Sequence, residues 1–173
     1  MAGRQPLVLT FLRTALAAAA VTAAASTASA ATFFVATNGN DTTGTGSQAA
    51  PWRTVAHAVA SVPDGSTILV RPGTYNGRID LSGEFATGIT IRSEVPYQAI
   101  LRNNDRVVTC YGGHGFTIEG FDIAHSGAGA AALVVHIDGA GDNSTGRITI
   151  RNNILHDSFN NDILKINNAA KDV

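Results

Sequence analysis

Phe116-Thr117-Ile118-Glu119-Gly120-Phe121-Asp122-Ile123-Ala124-His125-Ser126 is repeated in outline further along the chain as Ile148-Thr149-Ile150-Arg151-Asn152-Asn153-Ile154-Leu155-His156-Asp157-Ser158. A shorter echo, Ile89-Thr90-Ile91-Arg92-Ser93, precedes the first at a similar spacing. Each copy opens apolar-polar-apolar-polar, which puts alternate side chains on opposite faces of a strand. A repeat spaced by about 20–50 residues marks a solenoid, and short β-rich units mark a β-solenoid. Short strands with frequent turns would also suit a sandwich. A sandwich, however, gives no reason for Phe116 to align with Ile148, Ile118 with Ile150 and Ile123 with Leu155. In a solenoid each pair stacks, one above the other, in a continuous interior column.

Working outward from the repeat, further strands are expected at Ala99–Arg102, Val107–Tyr111, Leu133–Ile137 and Ile163–Ile166. Upstream, Thr32–Ala36 and Thr67–Val70 read as strands, and Arg71-Pro72-Gly73-Thr74-Tyr75 reads as a turn. Asn38 to Gly46 is a polar, glycine-rich loop. The spacing of Trp52, Val55, Ala56 and Val59 predicts an amphipathic helix over Trp52–Val62, ended by Pro63-Asp64-Gly65. Such a helix would cover the exposed first rung, as the end of a solenoid requires.

Residues 1–30 read as an export signal, with Arg4 and Arg13 as its positive charge, an alanine-rich apolar run from Ala15 to Ala25, and Ala28-Ser29-Ala30 as the cleavage pattern. Cleavage before Ala31 makes the mature protein secreted, extracellular or periplasmic, with no membrane segment retained. It leaves 10 basic against 13 acidic residues. With no basic stripe and few stacking aromatics, nucleic acid is not an expected partner. Cys110 is the single cysteine, so no internal disulfide forms, and its place in Val107–Tyr111 reads as a small buried residue.

Phe33-Phe34-Val35-Ala36-Thr37-Asn38-Gly39-Asn40-Asp41, then Ala50-Pro51-Trp52-Arg53-Thr54-Val55, then Val70-Arg71-Pro72-Gly73-Thr74-Tyr75 resembles the start of secreted right-handed parallel β-helix proteins of the pectate-lyase-like superfamily. That group includes calcium-dependent polysaccharide lyases and chondroitinase B-like enzymes. The resemblance implies an all-β, right-handed parallel β-helix over residues 31–173, with an N-terminal helical cap over 31–75 and coils over 76–173. Relatives in this group carry more coils than this length allows, and the chain stops at Val173 just after a strand. We therefore expect a fragment of a longer protein, with part of any active site beyond it. The architecture alone assigns no reaction, since it also carries hydrolases, epimerases and non-catalytic adhesins.

The densest polar cluster runs from His156 to Asn167. With Leu164 and Ile166 pointing inward, Lys165 points outward; with Val135 and Ile137 inward, His136 does the same. The two are separated by close to one coil of chain and are expected on neighbouring rungs of one face. The resemblance implies lyase roles: Lys165 as the base, Asp162 and Asp157 as calcium ligands, and His136 and Asn161 as groups that bind an acidic polysaccharide. Plainer readings stand beside these. Lys165 suits a solvated face, His125, His136 and His156 suit turns or surface, and Asn152, Asn153, Asn160 and Asn161 suit turns. Asp138 and Asp142 fall in a segment read as a surface loop. The expected function is a polysaccharide lyase-like enzyme cleaving by β-elimination; the alternative is a non-catalytic glycan-binding or adhesive solenoid.

Overall fold

The computed structural model describes residues 30–139, 145–160, 162–168 and 170–173; the leader segment, Asp142 and Asn161 lie outside them. β1 (Thr32–Val35) opens the fold and α1 (Val55–Ser61) follows. The chain then winds through β2 (Thr67–Val70), β3 (Gly73–Asn76) and β4 (Ile79–Asp80) as its first three-strand coil. The second coil is β5 (Glu84–Ser93), β6 (Ala99–Asn103) and β7 (Val108–Tyr111). The third is β8 (His114–Glu119), β9 (Asp122–His125) and β10 (Val135–Asp138), and the fourth β11 (Gly146–Arg151), β12 (Ile154–His156) and β13 (Leu164–Asn167). Equivalent strands pair in parallel, giving sheets ordered β1-β2-β5-β8-β11, β3-β6-β9-β12 and β4-β7-β10-β13. This is an all-β, right-handed parallel β-helix with a helical cap, the hand that parallel crossovers take.

The alignment read from the repeat is the observed register. Phe116 sits on Ile148, Ile118 on Ile150, and Ile123 on Leu155. The Ile118 column extends down through Ile91 to Ile68, while Leu101 lies under Ile123. On the third sheet Val108, Val135 and Leu164 form one inward column, and Cys110, Ile137 and Ile166 another. Phe116 is fully buried and meets Phe85 edge-on at 5.1 Å. Cys110 is buried as expected; burial pushes its thiol pKa up. Leu164 and Ile166 face the same way but remain 39% and 46% exposed, because no described strand of the third sheet covers their far side.

Two expectations change in detail. The helix begins at Val55 rather than Trp52, because Thr54 is its N-cap: the hydroxyl accepts from His57 N at 3.2 Å. Asp41 reinforces this start by accepting from Arg53 N and Thr54 N and from the Thr54 hydroxyl. Trp52 is bridge-paired with Val35 and stacks on Phe33 at 5.3 Å. The helix therefore buries Val55, Ala58 and Val59, leaving Ala56 exposed. The turn expected at Arg71–Tyr75 yields instead to β3, where pairing with β6 seats Tyr75 against Leu101.

The tight corner between first and second sheets also follows the repeat. Gly120 and Asn152, which align, both take left-handed backbone, with φ of 77° and 53°. Asn153 ties the two corners together, accepting from Phe121 N at 2.9 Å and donating to Ile118 O at 3.0 Å. These asparagines thus serve the turn, the plainer of their two readings. Stacking in register makes single inward side chains expensive to lose. Phe116→Ala should lower unfolding free energy by about 3–5 kcal/mol in urea denaturation. Thr117→Ala, one residue along and facing outward, should change it by less than about 1 kcal/mol.

Candidate functional site

Parallel register gives every outward side chain a fixed neighbour about 4.8 Å away on the next rung. Three outward faces result, and they differ. On the first sheet Thr32, Thr67, Thr90, Thr117 and Thr149 form one column. Beside it Arg92, Glu119 and Arg151 stack with alternating charge, Arg151 reaching Glu119 at 2.9 Å. Repetition of one residue type along a face is what cross-strand packing alone would select.

The second sheet carries a charged chain that is satisfied internally. Asp122 accepts from Arg102 at 2.6 Å on one side and from His156 Nε2 at 3.0 Å on the other. His156 Nδ1 lies 2.9 Å from Asp157 Oδ2. Ala124, in register with both Arg102 and His156, leaves the space for these long side chains to close over. The hydrogen bond to Asp122 raises the pKa of His156; burial opposes this, and Asp157 adds to the rise. For Asp122 burial alone would raise the pKa, but the hydrogen bonds from His156 and Arg102 outweigh it and lower it. The cluster is a clasp across three coils.

The third sheet is different in kind. Asp80, Thr109, His136 and Lys165 occupy one outward column on four successive rungs. Tyr111, Asp138 and Asn167 form the column beside it. His136 and Lys165 are thus neighbours, as the spacing predicts. Thr109 donates its hydroxyl proton to Asp80, which Arg78 also contacts at 3.0 Å. A cleft of about 300 Å³ opens between Asp80, Leu81, Ser82, Thr109 and Tyr111. Lys165 is exposed.

His136 is only 8% exposed, with each ring nitrogen facing oxygen. Nδ1 is 2.5 Å from Tyr111 Oη; Nε2 is 3.0 Å from Asn167 Oδ1 and 3.5 Å from Asp138 Oδ2. Tyr111, exposed where His136 is not, stands edge-on to it at 5.1 Å. Asp138 is a correction to the loop reading: it ends β10, is buried, and accepts from Asn168 Nδ2 at 3.0 Å. Its carbonyl also accepts from the Thr145 hydroxyl at 2.6 Å.

The residues expected to hold calcium are not brought into one group. Asp157 is at the corner after β12 with its carboxylate on His156, and Asp162 is exposed before β13. Among the described residues, no three His, Cys, Asp or Glu side chains gather as a metal site. Calcium in such sites takes about six to eight oxygens. The described His, Cys, Asp and Glu side chains alone do not supply that number at one place.

The sequence reading does not bring Tyr111, Asp138 and Asn167 together: it places Asp138 in a loop, Asn167 at the end of the polar cluster and Tyr111 at the end of a strand. One signal could have found them: aligning the inward residues Cys110, Ile137 and Ile166 brings the residues that follow each into a single column.

The fold is that of parallel β-helix proteins, and the comparisons agree. Residues 37–95 match a family described as a protein of unknown function (DUF1565). The uncharacterized protein YwoF of Bacillus subtilis strain 168 is 26% identical over 132 residues, 69% of this chain. The matched chain spans only 27% of YwoF. Among solved structures, a pectin methylesterase mutant in complex with a hexasaccharide superposes with a TM-score of 0.52 at 15% identity, over 75% of this chain and 44% of that one.

The clasp on the second sheet makes stability depend on pH. His156 is raised on folding, so its contribution is complete below its ordinary pKa of 6.5 and is lost as pH rises through the folded value. Unfolding free energy, measured by urea titration between about pH 6 and pH 9, should fall in that window. His156→Gln should remove most of that fall.

Proposed function

We propose that this protein is an exported, carbohydrate-active β-helix that cleaves an acidic polysaccharide by β-elimination on the outer face of the third sheet. The observation that carries the reading is the four-rung column Asp80–Thr109–His136–Lys165 with its companion Tyr111–Asp138–Asn167. Its span of about 14 Å suits an extended oligomer lying across rungs, each rung supplying a different polar group. The hexasaccharide complex of the superposed pectin methylesterase supports carbohydrate as the class of ligand.

In this reading the amine form of Lys165 takes the C5 proton of a uronate. The C5–H electron pair becomes the C4=C5 double bond, and the C4–O bond breaks towards the glycosidic oxygen. The ammonium formed on Lys165 stays beside the carboxylate, whose negative charge grows as the proton leaves, and so stabilises the transition state. Asn161, close before Lys165 in the chain, contributes to substrate binding. His136 orders the face from beneath through Tyr111.

Incubation with pectate, alginate and chondroitin sulfate should give rising ultraviolet absorbance from an unsaturated product on one of them. Lys165→Ala should reduce that rate by at least about 100-fold while leaving the melting temperature near that of the parent. Binding of a polysaccharide with no unsaturated product would replace the enzyme by a glycan-binding solenoid.

A further inference from the structure

We propose that Tyr111 is the proton donor to the departing glycosidic oxygen, with His136 its positioning partner; this assignment rests on the elimination reading above. Elimination needs two proton transfers. Lys165 accounts for the one at C5, and the oxygen leaving C4 must be protonated by another group. Tyr111 is placed for that role. It ends β7, is 46% exposed, lines the cleft with Asp80 and Thr109, and has its hydroxyl 2.5 Å from His136 Nδ1.

The surroundings of the imidazole explain how a phenol could serve. Its hydrogen-bonding neighbours are oxygens: Tyr111 Oη at Nδ1, and Asn167 Oδ1 with the Asp138 carboxylate at Nε2. Asn167 Oδ1 and the Asp138 carboxylate, both acceptors at Nε2, favour the tautomer that carries its proton there. Nδ1 then accepts from the Tyr111 hydroxyl and holds the phenol at the cleft, from where its O–H turns to the departing oxygen. The arrangement has the logic of a reacting hydroxyl, a histidine and an orienting third group.

The backbone fixes the geometry. Beyond Tyr111 the chain turns on Gly112, which has φ of 76°. Gly113 packs so closely that a Cβ there would stand 2.2 Å from Leu81 O. Gly112 N donates to the Thr145 hydroxyl at 2.6 Å, and that hydroxyl donates to Asp138 O, so the turn bearing Tyr111 is tied to the strand end bearing Asp138.

The step balances as follows. Lys165 Nζ gains the C5 proton, the C4=C5 bond forms, and the C4–O electron pair passes to the oxygen. That oxygen takes the Tyr111 proton. The resulting phenolate recovers its proton, through solvent, from the Lys165 ammonium. No oxidant or further reactant enters.

The test compares the natural acidic polysaccharide with a uronide carrying p-nitrophenoxide at C4, a leaving group that needs no proton. Tyr111→Phe should slow the natural substrate by about 100-fold or more, with kcat falling and KM little changed, yet react with the nitrophenyl substrate within a few-fold of the parent. Lys165→Ala should be slow on both. His136→Gln should follow Tyr111→Phe, with a smaller loss. If Tyr111→Phe keeps full rate on the natural substrate, or loses equally on both, Tyr111 is not the acid. A parent protein that forms no unsaturated product from any of the three polysaccharides overturns the elimination reading itself, and this assignment with it.

Discussion

Stacking of identical or near-identical inward side chains in parallel register is the constraint on which the rest of this molecule depends. Ile68, Ile91, Ile118 and Ile150 bury one another along a single column. Slipping one strand by a residue would turn its apolar side chains to solvent, so register is strongly fixed. Once it is fixed inside, it is fixed outside as well. Long outward groups such as arginine then stand closer to their rung neighbours than their own side chains are long, and each is obliged to pair with, avoid or cover the next. Arg151 against Glu119 and Arg102 against Asp122 are the same solution on two different faces.

Where the coil varies in length, it does so away from this core. The connections between second and third sheets run over 104–107, 126–134 and 157–163, whereas the corners at Gly120 and Asn152 stay tight. Extra chain at the wide corner leaves the register of both flanking strands intact: Ser126, Ala128 and Gly129 lie exposed while Leu133 and Val134 return to the core. Asp157 and Asp162 come from that corner, so their positions are set by loop conformation and not by the ladder. Tyr111, His136 and Lys165 are set by strands. Groups that must hold proton-transfer geometry belong on the rigid element.

This difference explains what the sequence disclosed. The repeat 116–126 and 148–158 gave away the fold, the register and the His136–Lys165 neighbourhood, because inward apolar residues follow a strict alternation. The start of α1 was obscured by Trp52, whose apolar character fits a helix face equally well; Asp41, far upstream of Thr54, decides where the helix starts. The pairing of Tyr111 with His136 was hidden for a related reason. Neither residue has a counterpart at its own position in the next coil, where Asp138 and Lys165 stand. A contact between unlike residues on different coils becomes visible only after the coils are laid on one another.

That absence of counterparts separates a site from a ladder. Natural selection for stability alone lets one favourable pairing recur, and the five outward threonines of the first sheet are the result. The third sheet has Asp80, Thr109, His136 and Lys165 at corresponding positions, with no two alike. Burying the His136 imidazole with oxygens on both nitrogens forgoes apolar packing that a valine or threonine would have supplied. Local departures from the rule that built the rest of a fold are where function is expected to reside. On the third sheet the departure leaves a phenol and an amine at the surface with a histidine beneath them.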